Sequence, residues 1–91
     1  MSAARDVVEV LARALADRPD AVTVVESQHR GTTLVEIYIG GGEVGRLIGR
    51  QGRTAAAIRT LASAAAEREG TKSVTVEIRD TPYKGPVLGA G

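Results

Sequence analysis

The chain has 91 residues, a formal net charge of +1, no cysteine, no phenylalanine and no tryptophan. This length predicts a single domain, and the absence of cysteine excludes disulfide bonds and thiolate metal sites. The first residues lack a signal-peptide pattern, and no apolar run approaches the about 20 residues that cross a membrane, so we expect a soluble, cytoplasmic protein.

The first half of the sequence predicts a helix followed by a β-hairpin. Apolar residues recur at helical spacing over residues 3–17, and Pro19 ends this helix. Residues 22–28 and 33–39 alternate as strands do, and the glycine-containing turn 29–32 between them predicts antiparallel pairing. In the helix the recurring apolar residues are Ala4, Val8, Leu11 and Leu15. Val22 and Val24 share one face of the first strand, and in the second strand Thr33, Val35, Ile37 and Ile39 share one face and Leu34, Glu36 and Tyr38 the other.

A glycine-rich stretch and two further helices follow the hairpin. Gly40–Gly42 ends the second strand, a short helix is predicted over residues 43–48, and residues 49–52 interrupt it. A longer helix is predicted over residues 53–69, with Gly70 as its C-terminal cap. The residues predicted to face the core are Val44, Leu47 and Ile48 in the short helix and Ile58, Leu61, Ala62 and Ala65 in the long one.

A third strand closes the predicted domain. It covers residues 73–79, with inward residues Val74, Val76 and Ile78. We expect residues 1–80 to form the domain and residues 81–91 to form a flexible C-terminal tail. Because two helices separate the second and third strands, a right-handed crossover makes these strands parallel. The sequence therefore predicts an α+β fold, helix-strand-strand-helix-helix-strand, with a three-stranded mixed sheet covered on one face by three helices.

The most informative motif is the Gly-x-x-Gly segment Gly49–Gly52, between the two later helices. Glycine lets a ligand approach the main chain closely because it has no Cβ, and the second glycine precedes a helix N-terminus, where free amides favour an anion. Arg50 and Gln51 must point outward between the glycines. Residues 44–66 carry four arginines and no acid. Such charges are often only a solvated helix face, but their clustering around this turn favours a phosphate-bearing partner.

A longer string around this motif resembles the signature of the KH domain. The string is Gly45-Arg-Leu-Ile-Gly-Arg-Gln-Gly-Arg-Thr54, followed by Ala57-Ile58-Arg59, and it is similar to that of small bacterial KH proteins. A bare Gly-x-x-Gly would also suit an ordinary connection between helices, whereas the flanking residues make the longer string specific. The predicted element order is similar to the type II KH arrangement. KH loops clamp about four nucleotides by their backbone.

The resemblance implies which residues contact RNA. The implied set is Arg46, Ile48, Gly49, Arg50, Gln51, Gly52, Arg53, Thr54, Ile37 and Ile58. The glycine loop would hold phosphates, and Ile48 and Ile58 would help form the apolar floor of a base-binding groove. Ile37 and Ile39 on the second strand would form its side wall or the packing beneath it. Ala55 stands where isoleucine is common, which would make that floor shallower. The turn 29–32 would correspond to a variable loop beside the groove.

Two other phosphate-binding motifs fit poorly. The segment Gly40–Gly45 matches the dinucleotide fingerprint Gly-x-Gly-x-x-Gly, but the helix that begins there breaks at Gly49, and the chain is too short for a doubly wound sheet. A Walker loop would need glycine at Leu47 and lysine at Arg53. Neither alternative therefore explains the motif.

The sequence also favours binding over catalysis. His29 is the only histidine, and no metal-ligand spacing or nucleophile-base set is visible, so we expect no enzyme activity, no cofactor and no metal. We expect single-stranded RNA as the partner, with no membrane or small-molecule substrate, and a role as a post-transcriptional regulator or RNA chaperone.

One alternative stays open, a protein-interaction module with a KH-like fold and little direct RNA binding. Arg50 and Gln51, without an acid in the loop, argue for RNA instead. The resemblance also implies a homodimer, or a heterodimer with a second KH-containing protein. Pairing would raise affinity, because one small domain touches few nucleotides.

Overall fold

The computed structural model describes residues 2–86 and has the predicted order of elements. The helices and strands are α1 Ala3–Leu15, β1 Thr23–His29, β2 Thr32–Tyr38, α2 Val44–Ile48, α3 Arg53–Arg68 and β3 Val74–Arg79. Short 3-10 turns cover Pro19–Ala21 and Arg50–Gly52. No helix within the described range is long and apolar enough to cross a membrane.

The three strands form one mixed sheet in the order β1-β2-β3. β1 and β2 pair antiparallel, with Val24 opposite Ile37, and β2 and β3 pair parallel, with Ile37 opposite Ile78. The hairpin turn consists of Arg30 and Gly31, which both have positive φ, the conformation that suits a tight turn between twisted strands. The predicted topology is therefore confirmed, and it leaves β2 in the centre and β3 at an edge.

Local capping explains where the long helices begin and end. The Ser2 hydroxyl accepts a hydrogen bond from the Arg5 amide at the start of α1. At the end of α3, Gly70 has a φ of +76°, and the amide of Thr71 donates to the carbonyl of Ala66 over 2.9 Å. This is the Schellman arrangement, and it confirms Gly70 as the residue that ends the helix.

The core lies between the sheet and the helices. Thr33, Val35, Ile37 and Ile39, which the sequence places on one face of the second strand, are all buried. The buried core side chains are Ala4, Val8, Ala12, Ala16, Val22, Val24, Val35, Ile37, Ile39, Leu47, Ile58, Ala62, Ala66 and Val76. The helices contribute mostly alanines to this set, because small side chains let α1 and α3 approach each other and the sheet closely.

Three large residues predicted to face inward do not do so. Leu15, Ile48 and Leu61 are exposed, by 38%, 40% and 48% respectively, and Ala65 is only half-buried. The alanine rows on α1 and α3 take the inward positions, which turns the larger side chains of these helices toward solvent. Together with Val10, which is 67% exposed, four large apolar residues of the described helices lie on the surface.

The described part of the predicted C-terminal tail contacts the end of the sheet. The ring of Tyr83 meets that of Tyr38 edge to face, with centroids 5.1 Å apart. Pro82 lies against Gly40, where a Cβ would be 2.9 Å from the proline ring. Residues 87–91 of that prediction lie outside the described residues.

Candidate nucleic-acid interface

The loop between α2 and α3 has an unusual main-chain path. Gly49 ends α2 with φ 74° and ψ 175°, and Gln51 and Gly52 follow with φ of 57° and 73°. The amide of Gly52 donates to the carbonyl of Gly49 over 3.1 Å, which closes the turn. α3 then begins at Arg53. The loop thus connects the two helices through four residues, and its two central side chains are exposed.

The two glycines of the loop are required for different physical reasons. A Cβ at Gly49 would lie 2.6 Å from the Cβ of Thr54, so no side chain fits there. Gly52 has open space around it, but its positive φ is one that side chains rarely adopt. Gln51 also has positive φ, which is uncommon for a residue with a side chain and is held by the helices on both sides.

The loop presents positive charge without a neutralising acid. Arg50 is exposed and makes no ion pair or side-chain hydrogen bond to another of the residues from 2 to 86. The guanidinium of Arg53 donates to the side-chain oxygen of Gln51 over 2.8 Å. The first turn of α3 carries no acid and no side-chain cap in the described structure. The amide of Arg53 donates to the carbonyl of Arg50, and the remaining amides and the dipole of this first turn add to the positive potential of the two arginines.

Arg46 is directed away from this loop toward the segment after α1. Its Nε lies 3.0 Å from a carboxylate oxygen of Asp17, and both side chains are exposed. An exposed pair of this kind contributes about 0–1 kcal/mol, so another anion can displace Asp17 at little cost. The predicted contribution of Arg46 to binding thus requires an exchange of partners.

The predicted apolar contacts divide into one exposed residue and two buried ones. Ile48, directly before the loop, is 40% exposed and can touch a ligand. Ile37 and Ile58 are 0% and 2% exposed, so they lie in the core and cannot form the surface of a groove. Ala55 is also buried, and its small size therefore affects packing inside the domain. The side chain of Thr54, in the first turn of α3, packs directly against Gly49.

A groove between α3 and β3 was not predicted. Arg59 and Ser63 line it from the helix, and residues Val74–Glu77 line it from the strand. Past Ser63 it continues to the end of α3, where Gly70–Lys72 line it. The groove follows the helix whose N-terminus carries the loop. β3 forms the strand side of this groove, and β2 lies in the centre of the sheet.

The free edge of β3 provides main-chain groups in this groove. The carbonyl of Ser73 accepts from the amide of Thr33 on β2 over 3.0 Å. Bonding direction alternates along a strand, so Val74 and Val76 direct their amides and carbonyls away from β2. The Arg59 side chain reaches across and donates from Nε to the Val76 carbonyl. Arginine and an open strand edge thus meet in one place, where either can bind polar groups of a ligand.

No group of three or more metal-ligating side chains lies together in the part of the chain that the structure describes. Most of the acids belong to ion pairs or hydrogen bonds away from the loop, such as Glu9 with Arg5 and Arg13. Glu67 and Glu77 line the groove between α3 and β3, whereas the Gly49–Gly52 loop carries Arg50 and no acid.

The two-layer fold and the Gly-x-x-Gly loop between adjacent helices define a KH domain of type II order. The chain belongs to the family described as KhpA/KhpB, KH domain, whose sequence pattern matches residues 5–78. This confirms the resemblance to small bacterial KH proteins that the string Gly45–Thr54 indicated.

Curated relatives extend over nearly the same length as this chain. RNA-binding protein KhpA of Aquifex aeolicus is 41% identical over 78 residues, which cover 86% of this chain and 98% of that protein. RNA-binding protein KhpA of Caldanaerobacter subterraneus is 45% identical over 73 residues, covering 80% and 96%. The protein of the same name from Clostridium perfringens is 40% identical, covering 81% and 97%.

Two solved structures of the protein Era share the fold. Era in complex with MgGDPNP and nucleotides 1506–1542 of 16S ribosomal RNA matches with a TM-score of 0.63 at 17% identity. A single-residue variant of Aquifex aeolicus Era bound to GDP.AlF4- matches with a TM-score of 0.60 at 18% identity. The match covers 87% and 86% of this chain but 30% of each Era chain, so the likeness concerns one domain of a longer protein.

Proposed function

We propose that this chain binds single-stranded RNA, with the sugar-phosphate backbone at Gly49–Gly52 and the bases in the groove between α3 and β3. The observation that carries the proposal is the exposed Arg50, which has no partner among the described residues and stands between two glycines of positive φ. A phosphate bound there would accept hydrogen bonds from the Arg50 guanidinium and would lie near the N-terminus of α3, where the helix dipole favours an anion. Relatives named RNA-binding protein KhpA, at 40–45% identity, support this choice of ligand.

A single strand suits the groove better than a duplex. The wall that β3 provides is one strand edge, with Arg59 and Ser63 opposite it. Bases can enter such a cleft only when they are unstacked and splayed from their backbone, which a duplex prevents. The chain has two tyrosines and no other aromatic residue, and both tyrosines contact each other at the sheet end. Base contacts in the groove would thus be polar and aliphatic.

Competition between two RNAs tests the strandedness. An unstructured RNA labelled with a fluorophore is bound to the protein, and either unlabelled single strand or a perfect hairpin of the same length is added. The proposal expects the single strand to displace the label and the hairpin to fail. A hairpin that competes as well as the single strand would contradict the assignment of the groove to splayed bases.

The wider role follows from binding without catalysis. A domain that holds a few nucleotides and carries no nucleophile-base set suits a post-transcriptional regulator or RNA chaperone in the cytoplasm. The chaperone role can be tested by measuring how fast two complementary RNA strands anneal with and without the protein. Faster annealing in its presence would support this role.

A second part of the proposal concerns pairing through the helical layer. Val7, Val10, Leu11 and Leu61 form an apolar patch between α1 and α3, which we call the helical patch. Val10 and Leu61 are 67% and 48% exposed. We propose that a second copy covers the helical patch, and a second KH-containing protein is the alternative occupant. Two linked domains would bind one RNA more tightly through effective concentration.

A further inference from the structure

The glycine run Gly40–Gly42 and the acid that follows it have no part in the proposed RNA contacts. They connect the central strand β2 to α2, which ends at the Gly49–Gly52 loop. α2 has only five residues, and so short a helix has little stability of its own. The position of the loop therefore depends on whatever fixes the start of α2.

Glu43, the residue directly before α2, is fixed by an unusual set of contacts. Its side chain is only 8% exposed. One carboxylate oxygen accepts from the main-chain amides of Asp17 and Arg18, over 2.7 and 3.3 Å, and the other accepts from the Arg18 Nε over 3.3 Å. Burial raises the pKa of Glu43, but these donors outweigh it and hold the pKa below its ordinary value.

The Glu43 carboxylate thus accepts hydrogen bonds from a segment distant in sequence rather than from the amides of its own helix. Glu43 occupies the N-cap position of α2, yet its side chain makes no capping bond to α2. It binds the chain directly after α1 instead, where it satisfies the amides of Asp17 and Arg18. The nearby ion pair of Arg46 with Asp17 joins the same two segments a second time.

The glycines make room for these contacts. At Gly41, with a φ of +71°, a Cβ would lie 2.7 Å from a terminal nitrogen of Arg18. At Gly40, on the other side, a Cβ would lie 2.9 Å from Pro82. The segment before α2 therefore lies between the chain after α1 and the chain after β3. A side chain would meet Pro82 at Gly40 and would have to displace the Arg18 side chain at Gly41, whereas the space at Gly42 is open.

From this arrangement we infer that Glu43 is a positioning residue for RNA binding: it fixes the start of α2 and through it the Gly49–Gly52 loop. The inference rests on the proposed function of that loop. Glu43 itself does not contact the RNA, and its effect passes through the main chain of α2, with the buried Leu47 holding the middle of the helix.

The test compares Glu43→Ala with Glu26→Ala. Glu26 is a matched control because its carboxylate also accepts main-chain and side-chain hydrogen bonds, from the Ser2 amide over 3.0 Å and the Ser2 hydroxyl over 2.7 Å. Both substitutions remove one negative charge, which by itself favours binding of a polyanion. RNA affinity and the amide NMR signals of Gly49 and Gly52 are measured well below the midpoint of thermal unfolding.

The inference expects Glu43→Ala to weaken RNA binding by roughly fivefold or more, a typical size for coupling between separated sites, and to shift the loop amide signals. Glu26→Ala should keep or slightly improve the affinity and leave those signals in place. Equal affinity and unchanged loop signals in both folded variants would overturn the inference. If Glu43→Ala does not fold, Glu43→Gln against Glu26→Gln is judged by the same criteria.

The failure of the proposed function would look different. In that case the unsubstituted protein would not bind RNA, and Arg50→Asp would change nothing. The loop amide signals would still respond to Glu43→Ala if the mechanical link through α2 is correct. An unsubstituted protein that binds RNA and a Glu43 variant that binds it equally well would therefore contradict only the positioning role.

Discussion

Arg59 and Val76 are joined across the groove by a hydrogen bond, with the arginine Nε 3.2 Å from the main-chain carbonyl oxygen. This bond occupies an acceptor at the free edge of β3, in the centre of the residues that line the groove. An RNA base that binds at this edge must share the carbonyl with Arg59 or displace it. The proposal therefore predicts that Arg59 affects RNA binding, because a ligand of the groove would compete with it for this carbonyl.

Replacing Arg59 by methionine should weaken RNA binding while changing stability little. The substitution removes a positive charge from the groove and a hydrogen bond whose net value is about 1 kcal/mol. Arg68→Met is the matched control, since Arg68 is an exposed arginine of the same helix that does not line the groove. Fluorescence anisotropy with a short RNA measures both variants. Equal loss of affinity in the two would show that only net charge matters.

Ile58 and Leu61 should differ sharply in their effect on stability, although both were predicted to face inward. Ile58 is 2% exposed, so Ile58→Ala should lower the free energy of unfolding by about 2–4 kcal/mol. Leu61 lies half in solvent, and Leu61→Ala should cost under about 1 kcal/mol. Urea unfolding of both variants measures the difference. Similar losses would mean that the helix presents another face to the core.

These two residues illustrate how far the sequence predicted the fold. In β2 a period of two places Thr33, Val35 and Ile37 on one face and Leu34, Glu36 and Tyr38 on the other, and the structure buries the first set. In α3 alanine, isoleucine and leucine occupy several neighbouring faces, so the apolar pattern alone permits more than one orientation. The close approach of α1 favours the orientation of α3 in which its alanines face the core. This approach is a property of the tertiary structure and cannot be read from the sequence of α3 alone.

The candidate site divides in the same way. Gly49–Gly52 and its outward arginine follow from local sequence, since glycine spacing and helix ends are local properties. Which strand can line a groove depends on which strand lies at the edge of the sheet, and this is a property of topology. Ile37 was expected to form the side wall or the packing beneath it, and its burial in the central strand fits only the packing. Glu43 resembles any surface acid in the sequence, and its buried contacts involve Asp17 and Arg18, distant in sequence.

Leu61→Asp should prevent pairing of two copies if the helical patch is the contact surface. A carboxylate in the centre of an apolar interface would lose its hydration without gaining a partner. Thr60→Asp is the control, because Thr60 is an exposed neighbour outside the helical patch. Sedimentation velocity over a range of concentrations measures association. Unchanged association of the Leu61 variant would place the contact surface elsewhere, and a monomer in all three proteins would contradict self-pairing.

Acid should destabilise the protein below the ordinary carboxyl pKa. Hydrogen bonds from the Arg5 side chain hold the pKa of Glu9 below its usual value of 4.5. Burial raises the pKa of Glu26, but the Ser2 donors outweigh it, so this pKa is also lowered from 4.5. A carboxyl with a lowered pKa stabilises the folded state above its unfolded pKa, and this contribution is lost as the pH falls through the folded pKa.

Urea unfolding at a series of pH values measures this dependence. The midpoint should be steady above pH 4.5 and fall below it. Glu26→Gln should lower the midpoint at neutral pH and flatten the decline in acid, because the variant has lost the group that titrates. A decline of the same steepness in the variant would show that Glu26 does not contribute to acid unfolding.

The binding of RNA by the Gly49–Gly52 loop is tested most directly by a charge reversal at its tip. One double variant carries Arg50→Asp and Gln51→Asp in the loop. The control double variant carries Ala64→Glu and Arg68→Glu, at exposed positions of α3 outside the groove, and it has the same change in formal charge. RNA affinity is titrated against salt. The unsubstituted domain should give a slope of about −2 for log affinity against log salt, as expected for roughly three phosphates on a single strand. The loop variant should lose RNA binding while its unfolding midpoint is unchanged, and the control should keep most of its affinity. Equal affinities in the two folded variants would contradict the proposal that this loop holds the RNA backbone.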